Sequence, residues 1–92
     1  MSVMLMRLDV FLKQSRLIKR RTVAKAMCDK GRVTLNDRPA KAGDTVQVGD
    51  TIAIQFGDRR VAVRVLKVET VIGKQGADAL YERVNDLDDG LD

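Results

Sequence analysis

The sequence predicts an α+β domain: two N-terminal helices packed on a small antiparallel sheet, with a short C-terminal helix. Three observations lead there. Apolar residues recur at helical spacing between Arg7 and Lys30. From Arg32 to Glu69 the pattern changes to alternation, punctuated by Asn-Asp and Gly-Asp pairs. Near the end, Ala77, Leu80, Tyr81 and Val84 return to a helical period. Helices grouped first and strands after them give a sheet whose neighbours are joined by hairpins.

A chain of 92 residues has room for one small domain, expected over residues 6–86, with a thin core. Apolar residues make up 45% of it, enough to fold. Phe11, Phe56 and Tyr81 are the only aromatic residues and Trp is absent, so aromatic platforms for stacking bases are not expected. Cys28 is the only cysteine and there is no histidine. The usual zinc sites, histidine acid–base chemistry and an intrachain disulfide are thereby excluded. No nucleophile–base pair and no phosphate-binding Gly-rich loop is present, so neither an enzyme nor a cofactor is expected. "MSVMLM" lacks the basic start and apolar length of a signal peptide, and no apolar run approaches a membrane span. The expected location is the cytoplasm, away from membranes.

The elements follow in order. Residues 1–5 read as an extension with little structure, the natural beginning being Met6. In "RLDVFLKQ", Leu8, Phe11 and Leu12 form one apolar helical face. Arg7 stands at the start of that helix, where the dipole prefers an acid. It is either solvated or paired with something outside the helix. "SRLIKR" connects to a second helix, "RTVAKAMCDKG", expected to dock through Val23, Ala24, Met27 and Cys28. Gly31 suits the left-handed residue that ends a helix. Cys28 reads as a small buried hydrophobe, with nothing nearby to activate it.

"RVTLN" alternates Val33 and Leu35 inward, and Asn36-Asp37 suits a tight hairpin. Pro39 suits an edge strand. Two Gly-Asp turns precede the strand Thr51 to Phe56. "GDR" then reverses the chain into a long strand, with Val61, Val63 and Val65 on one face. "GADALYERVNDL" reads as the last helix, and residues 87–92 as an acidic tail.

Charge is distributed unevenly. The net value is +4, but residues 7–32 carry nine Lys or Arg against Asp9 and Asp29. From Glu69 onward there are seven acids and two bases. Such asymmetry favours a polyanion-binding face with the acidic end pointed elsewhere. Arg21 and Lys25 lie one turn apart on the side of the second helix opposite its docking residues. Arg16, Lys19 and Arg20 lead into its N-terminus, where free backbone N–H groups gather. Arg20 is a poor cap, where Ser, Thr, Asp or Asn is preferred. An anion at that helix start would compensate. Arg21, facing outward, is expected to add little to stability.

At these residues the chain resembles a known family. "RLDVFL", "RRTVAKAMCDKGRVTLND" and "VQVGDTIAI", in this order, resemble the RNA-binding domain named after the fourth small-subunit ribosomal protein, the alpha-L motif. The resemblance covers roughly residues 7–56 and implies two helices on a small sheet. With "SRLIKRRTVAK" and the late "LYE", the chain looks like stand-alone quality-control proteins of the RqcP type. It is related more distantly to the small heat-shock protein that binds free large subunits. That resemblance implies a non-catalytic factor bound to large ribosomal subunits that retain stalled peptidyl-tRNA; the chain is expected to be a monomer. Its partners would be large-subunit rRNA, the tRNA and RqcH, which directs C-terminal alanine tailing. The family's RNA-contacting arginines correspond to Arg7 and Arg21. Family members often have Ser or Thr where this chain has Arg20, and Gly where it has Asp37. A heat-shock-type factor on free large subunits with nascent chains, or a basic protein-interaction module, are the alternatives.

The tail yields a first test. Deleting residues 88–92 should leave the melting temperature nearly unchanged and RNA affinity level or slightly higher, since like charge is removed. A large loss of thermal stability would show that the tail belongs to the fold.

Overall fold

The computed structural model describes residues 6–69 and 76–84. The expected extension at 1–5 and the acidic tail at 87–92 lie outside the described residues. The chain opens with strand β1 (Met6–Arg7) and helix α1 (Leu8–Gln14), followed by α2 (Arg21–Asp29). Strands β2 (Val33–Leu35), β3 (Arg38–Pro39), β4 (Thr45–Val46), β5 (Thr51–Phe56) and β6 (Arg59–Val65) come next. A 3-10 turn (Ala77–Leu80) leads into β7 (Tyr81–Arg83).

The start of α1 is secured by backbone. β1 pairs antiparallel with β4, Met6 opposite Val46 and Arg7 opposite Thr45. The contact continues into the helix: the Leu8 N–H donates to the Asp44 carbonyl at 2.8 Å and the Asp9 N–H to the Ala42 carbonyl at 3.1 Å. The Val10 N–H donates to Asp9 Oδ1 at 2.8 Å. Three of the four N–H groups that a helix start leaves unpaired are thus satisfied. The helix ends at Ser15, whose buried hydroxyl donates to the Leu12 carbonyl at 3.2 Å. Arg16 follows in the left-handed region at φ 62°.

α2 ends as Gly31 predicts. Gly31 sits at φ 74°, its N–H donating to Cys28, while the Arg32 N–H reaches back to Met27 at 2.9 Å. This crossed pair of bonds is the Schellman arrangement, which delivers the chain directly into β2.

The larger sheet has the order β3-β2-β5-β6-β7, antiparallel throughout. Asn36 and Asp37, at φ 53° and 68°, make the two-residue hairpin between β2 and β3. Pro39 falls on the edge strand. Register places Val33, Ile54 and Val61 side by side, and next to them Leu35, Ile52 and Val63. These residues form one core with Leu8, Phe11, Leu12, Ala24 and Cys28 of the helices.

Two expectations fail. Among the described residues the segment after Gly76 does not form the expected helix through Val84; it makes one short 3-10 helix (Ala77–Leu80) and then the edge strand β7, with Tyr81 opposite Val65 and Arg83 opposite Val63. Leu80 is fully buried, and its carbonyl accepts from the Leu66 N–H at 2.8 Å. The Val84 N–H donates to the Ala62 carbonyl at 2.9 Å. A helix this short is unstable on its own, whereas β6 offers a ready ladder of backbone partners, so tertiary pairing decides. The second failure is Val23, expected on the docked face but 45% exposed. The docked stripe consists of Ala24 and Cys28, with Met27 half-buried at its margin. Small side chains there let α2 lie close to its neighbours.

Burial raises the Cys28 thiol to about 11, reinforced by the negative charges of Asp9, Asp29 and Asp44. Native-state labelling by a thiol reagent should therefore be slow; labelling as fast as in urea would show that the α2 face is misplaced. Leu80→Ala should cost about 2–5 kcal/mol of stability. A shift in melting temperature within error would mean that the C-terminal segment is not part of the core.

Candidate functional site

Arg7 and Arg21 lie fourteen positions apart in the chain but meet at one carboxylate. Arg7, extended at φ −69° and ψ 149°, is the residue from which α1 starts. Arg21 is the first residue of α2. Between them Asp9, in the first turn of α1, is almost completely buried at 1% exposure. Arg7 Nε donates to Asp9 Oδ1 at 3.2 Å and its Nη2 to Oδ2 at 3.4 Å. Arg21 Nε donates to Asp9 Oδ2 at 3.0 Å. The two arginine side chains remain 52% and 51% exposed.

This answers the question raised by Arg7 at a helix start. Its partner is Asp9, which lies inside the helix and not outside it as expected, and is the acid that the dipole of α1 favours. Burial by itself pushes the Asp9 carboxyl up, but hydrogen bonds and positive charge from Arg21 and Arg7 outweigh it and hold the group below its ordinary value. Arg21 is therefore not the free outward arginine that helical periodicity suggests, and it does contribute to the fold.

Around the pair is a shallow depression of about 420 Å³ lined by Arg7, Asp9, Arg21, Thr22 and Lys25. Three of the six basic residues singled out from the sequence are thus brought together. Arg20 is exposed and immediately precedes Arg21, with an extended backbone and no capping hydrogen bond from its side chain. Arg16 and Lys19 are exposed in the α1–α2 connection and do not line the depression. Sequence reasoning missed Asp9 and Thr22. The signal for Asp9 was available, an acid two residues after Arg7 in a first helical turn.

The starts of the two helices contrast. At α2, the Ala24 N–H donates to the Arg20 carbonyl at 3.0 Å. The N–H groups of Arg21, Thr22 and Val23 find no partner among the described residues. An open helix start beside two half-exposed guanidinium groups and Lys25 is suited to holding an anion. Among the described residues no His, Cys, Asp and Glu cluster is disposed to hold a metal ion.

Residues 6–52 match the S4 domain. The chain belongs to the S4 domain family. The S4 match spans β1 through the start of β5 and includes Arg7, Asp9, Arg21 and Lys25. Over 77 residues the chain is 52% identical to the RQC P-site tRNA stabilizing factor of Halalkalibacterium halodurans, spanning 84% of this chain and 88% of that one. It is 43% identical over 81 residues to the protein of the same name from Streptococcus pneumoniae, spanning 88% and 92%. Heat shock protein 15 of Vibrio cholerae, solved as a trimer, is similar in structure, with a TM-score of 0.82 at 28% identity over 88% of this chain and 83% of that one. This is an S4-domain chain of the RqcP type, related to heat shock protein 15.

Asp9→Asn should lower stability by about 1.5–3 kcal/mol and Tm by roughly 6 °C or more, the range for losing charge-assisted hydrogen bonds in a domain of this size. A carboxylate with a lowered value stabilises the fold above its ordinary value of 3.8, and that contribution is lost as pH falls through the lowered one. Acid melts of the wild type should show this loss and those of the variant a shallower one. Superimposable acid limbs would sink the assignment.

Proposed function

We propose that this chain is an RNA-binding factor of ribosome-associated quality control. It binds large ribosomal subunits that still carry stalled peptidyl-tRNA, contacts rRNA and the tRNA, and assists RqcH-dependent alanine tailing. It does so in the cytoplasm and by binding alone, without catalysing a step. The observation that carries the reading is the pair of half-exposed arginines beside the open start of α2. Phosphate is the anion that such donors match best, and RNA supplies it in series. The name of the similar proteins, which speaks of a P-site tRNA, supports this choice of partner.

Arg7 and Arg21 would make the forked contacts, with Lys25 beside them. Arg16, Lys19 and Arg20 would add longer-range attraction along the approach to α2. A second reading, binding to free large subunits as a heat-shock-type factor, draws on the structural likeness to heat shock protein 15. The chemistry of the face is the same in both. Co-purification separates them: the first requires large subunits with peptidyl-tRNA and RqcH, the second large subunits without RqcH. The proposed working form is a monomer, and sedimentation velocity tests it against the trimer seen for the Vibrio cholerae protein.

Four or five phosphate contacts imply that log K falls with log salt at a slope of about −3 to −4. Arg21→Ala should weaken RNA binding by about 1.5–3 kcal/mol, and Arg21→Lys should recover only part of it. The double variant Arg7→Ala, Arg21→Ala should lose association with large subunits in cells while retaining a cooperative melt, at a temperature lowered by the loss of both side-chain partners of Asp9. Co-sedimentation at wild-type levels would refute the interface and favour a protein partner on another surface.

A further inference from the structure

Asp9 is the one charged residue that is buried among the described residues, and it sits in the middle of the basic face. By charge alone it is in the wrong place, since it repels the phosphates that the surface would attract. We propose that Asp9 is the positioning residue of this face: it takes the Nε edge of both Arg7 and Arg21, so that their remaining N–H donors are aimed together at neighbouring phosphates of an RNA backbone. This rests on the RNA-binding reading above.

The donor inventory supports the assignment. A guanidinium has five N–H groups, divided between the Nε edge and the two Nη groups. Arg21 gives Asp9 only its Nε, at 3.0 Å, leaving both Nη groups for a forked contact. Arg7 gives Nε and one N–H of Nη2, leaving Nη1 and the second N–H of Nη2. Neither arginine makes another side-chain hydrogen bond among the described residues. Both heads are therefore anchored on one side, without a further side-chain partner among the described residues, and half-exposed.

Long basic side chains on a surface ordinarily lose rotamer freedom when they bind. Here the ordering takes place on folding, which leaves less to lose on binding. Lysine substitutes only in part, because one Nζ has no separate edge for the anchor and the ligand. The anchor also joins three elements. Arg7 ends β1, Asp9 lies in α1 and Arg21 begins α2, so the spacing of the two forks is set by how these elements pack.

Charge and positioning predict opposite signs, which makes the test sharp. Asp9→Asn raises the net charge by one, so an indifferent acid would give equal or tighter binding in the variant. Positioning requires weaker binding, since the amide nitrogen cannot accept from a guanidinium. The probe is a short RNA hairpin, measured well below the melting temperature of each variant. Asp9→Asn should bind roughly tenfold more weakly, the scale of a lost charge-assisted contact. Asp29→Asn, an exposed acid at the other end of α2, serves as the charge control and should bind equally or slightly more tightly. A folded Asp9→Asn that binds as tightly as the wild type overturns the proposal.

Side-chain NMR of the wild type gives a second readout that needs no variant. The Nε–H signals of Arg7 and Arg21 should resist solvent exchange and hold their positions as hairpin is added, while the Nη signals move. Nε–H signals that exchange freely, or that shift on binding, overturn the proposal even if Asp9→Asn fails to fold. If the wild type does not bind the hairpin at all, the RNA-binding reading falls and this assignment with it. If it binds and the variant matches it, only the positioning role is lost.

Discussion

A carboxylate removed from water must be compensated or it will take up a proton, and in this protein the compensation of Asp9 organises the surface. The chain solves the problem with donors from three residues: Arg7 at the end of β1, Arg21 at the start of α2, and the backbone N–H of Val10 in α1 itself. Because the acid is buried and the bases are half-exposed, the pair of ion pairs is asymmetric. The inner side is a structural joint between the helices, and the outer side remains a cluster of hydrogen-bond donors. Exposed ion pairs are usually worth little, but here one partner is out of solvent, and loss of either arginine leaves that carboxylate less well satisfied.

The two helix starts divide the same labour differently. At α1 the chain supplies its own acceptors, the carbonyls of Ala42 and Asp44 and the side chain of Asp9. At α2 it supplies none from a capping side chain and places cationic residues there instead. A helix built only for stability would carry Ser, Asp or Asn at Arg20 and an acid in the next turn. Such conflicts between local preference and sequence tend to mark functional sites, which makes the start of α2 the candidate.

Much of the fold was legible because its signals are local. Gly31 at the end of α2, Asn36-Asp37 in the hairpin, Pro39 on an edge and the valines of β6 each state their conformation within a few residues. What was not legible depended on distance. Leu80, Tyr81 and Val84 have helical spacing, and only the free ladder of β6 turns them into an edge strand. Val23 looks like a docking residue on a helical wheel, yet the choice between it and the smaller Ala24–Cys28 stripe is made by the neighbouring elements. The candidate site divides the same way. The basic residues were evident from composition and spacing. Their grouping around Asp9 joins positions twelve residues apart, and periodicity carries no information at that range.

The late strand also sets an order of events during synthesis. The S4 match ends at residue 52, whereas β6 does not receive its outer neighbour until Tyr81–Arg83 are available. A nascent chain that has exposed β5 and β6 but not β7 presents an open ladder beside Val63 and Val65, the kind of edge that recruits other strands. Leu80, which seals the core at that side, is also made late. A chain interrupted between these points would hold its arginine joint and most of its helices, yet carry a sheet edge prone to association. Synthesis that stops before Leu80 leaves this edge of β6 without its backbone partner and the core without its last fully buried side chain.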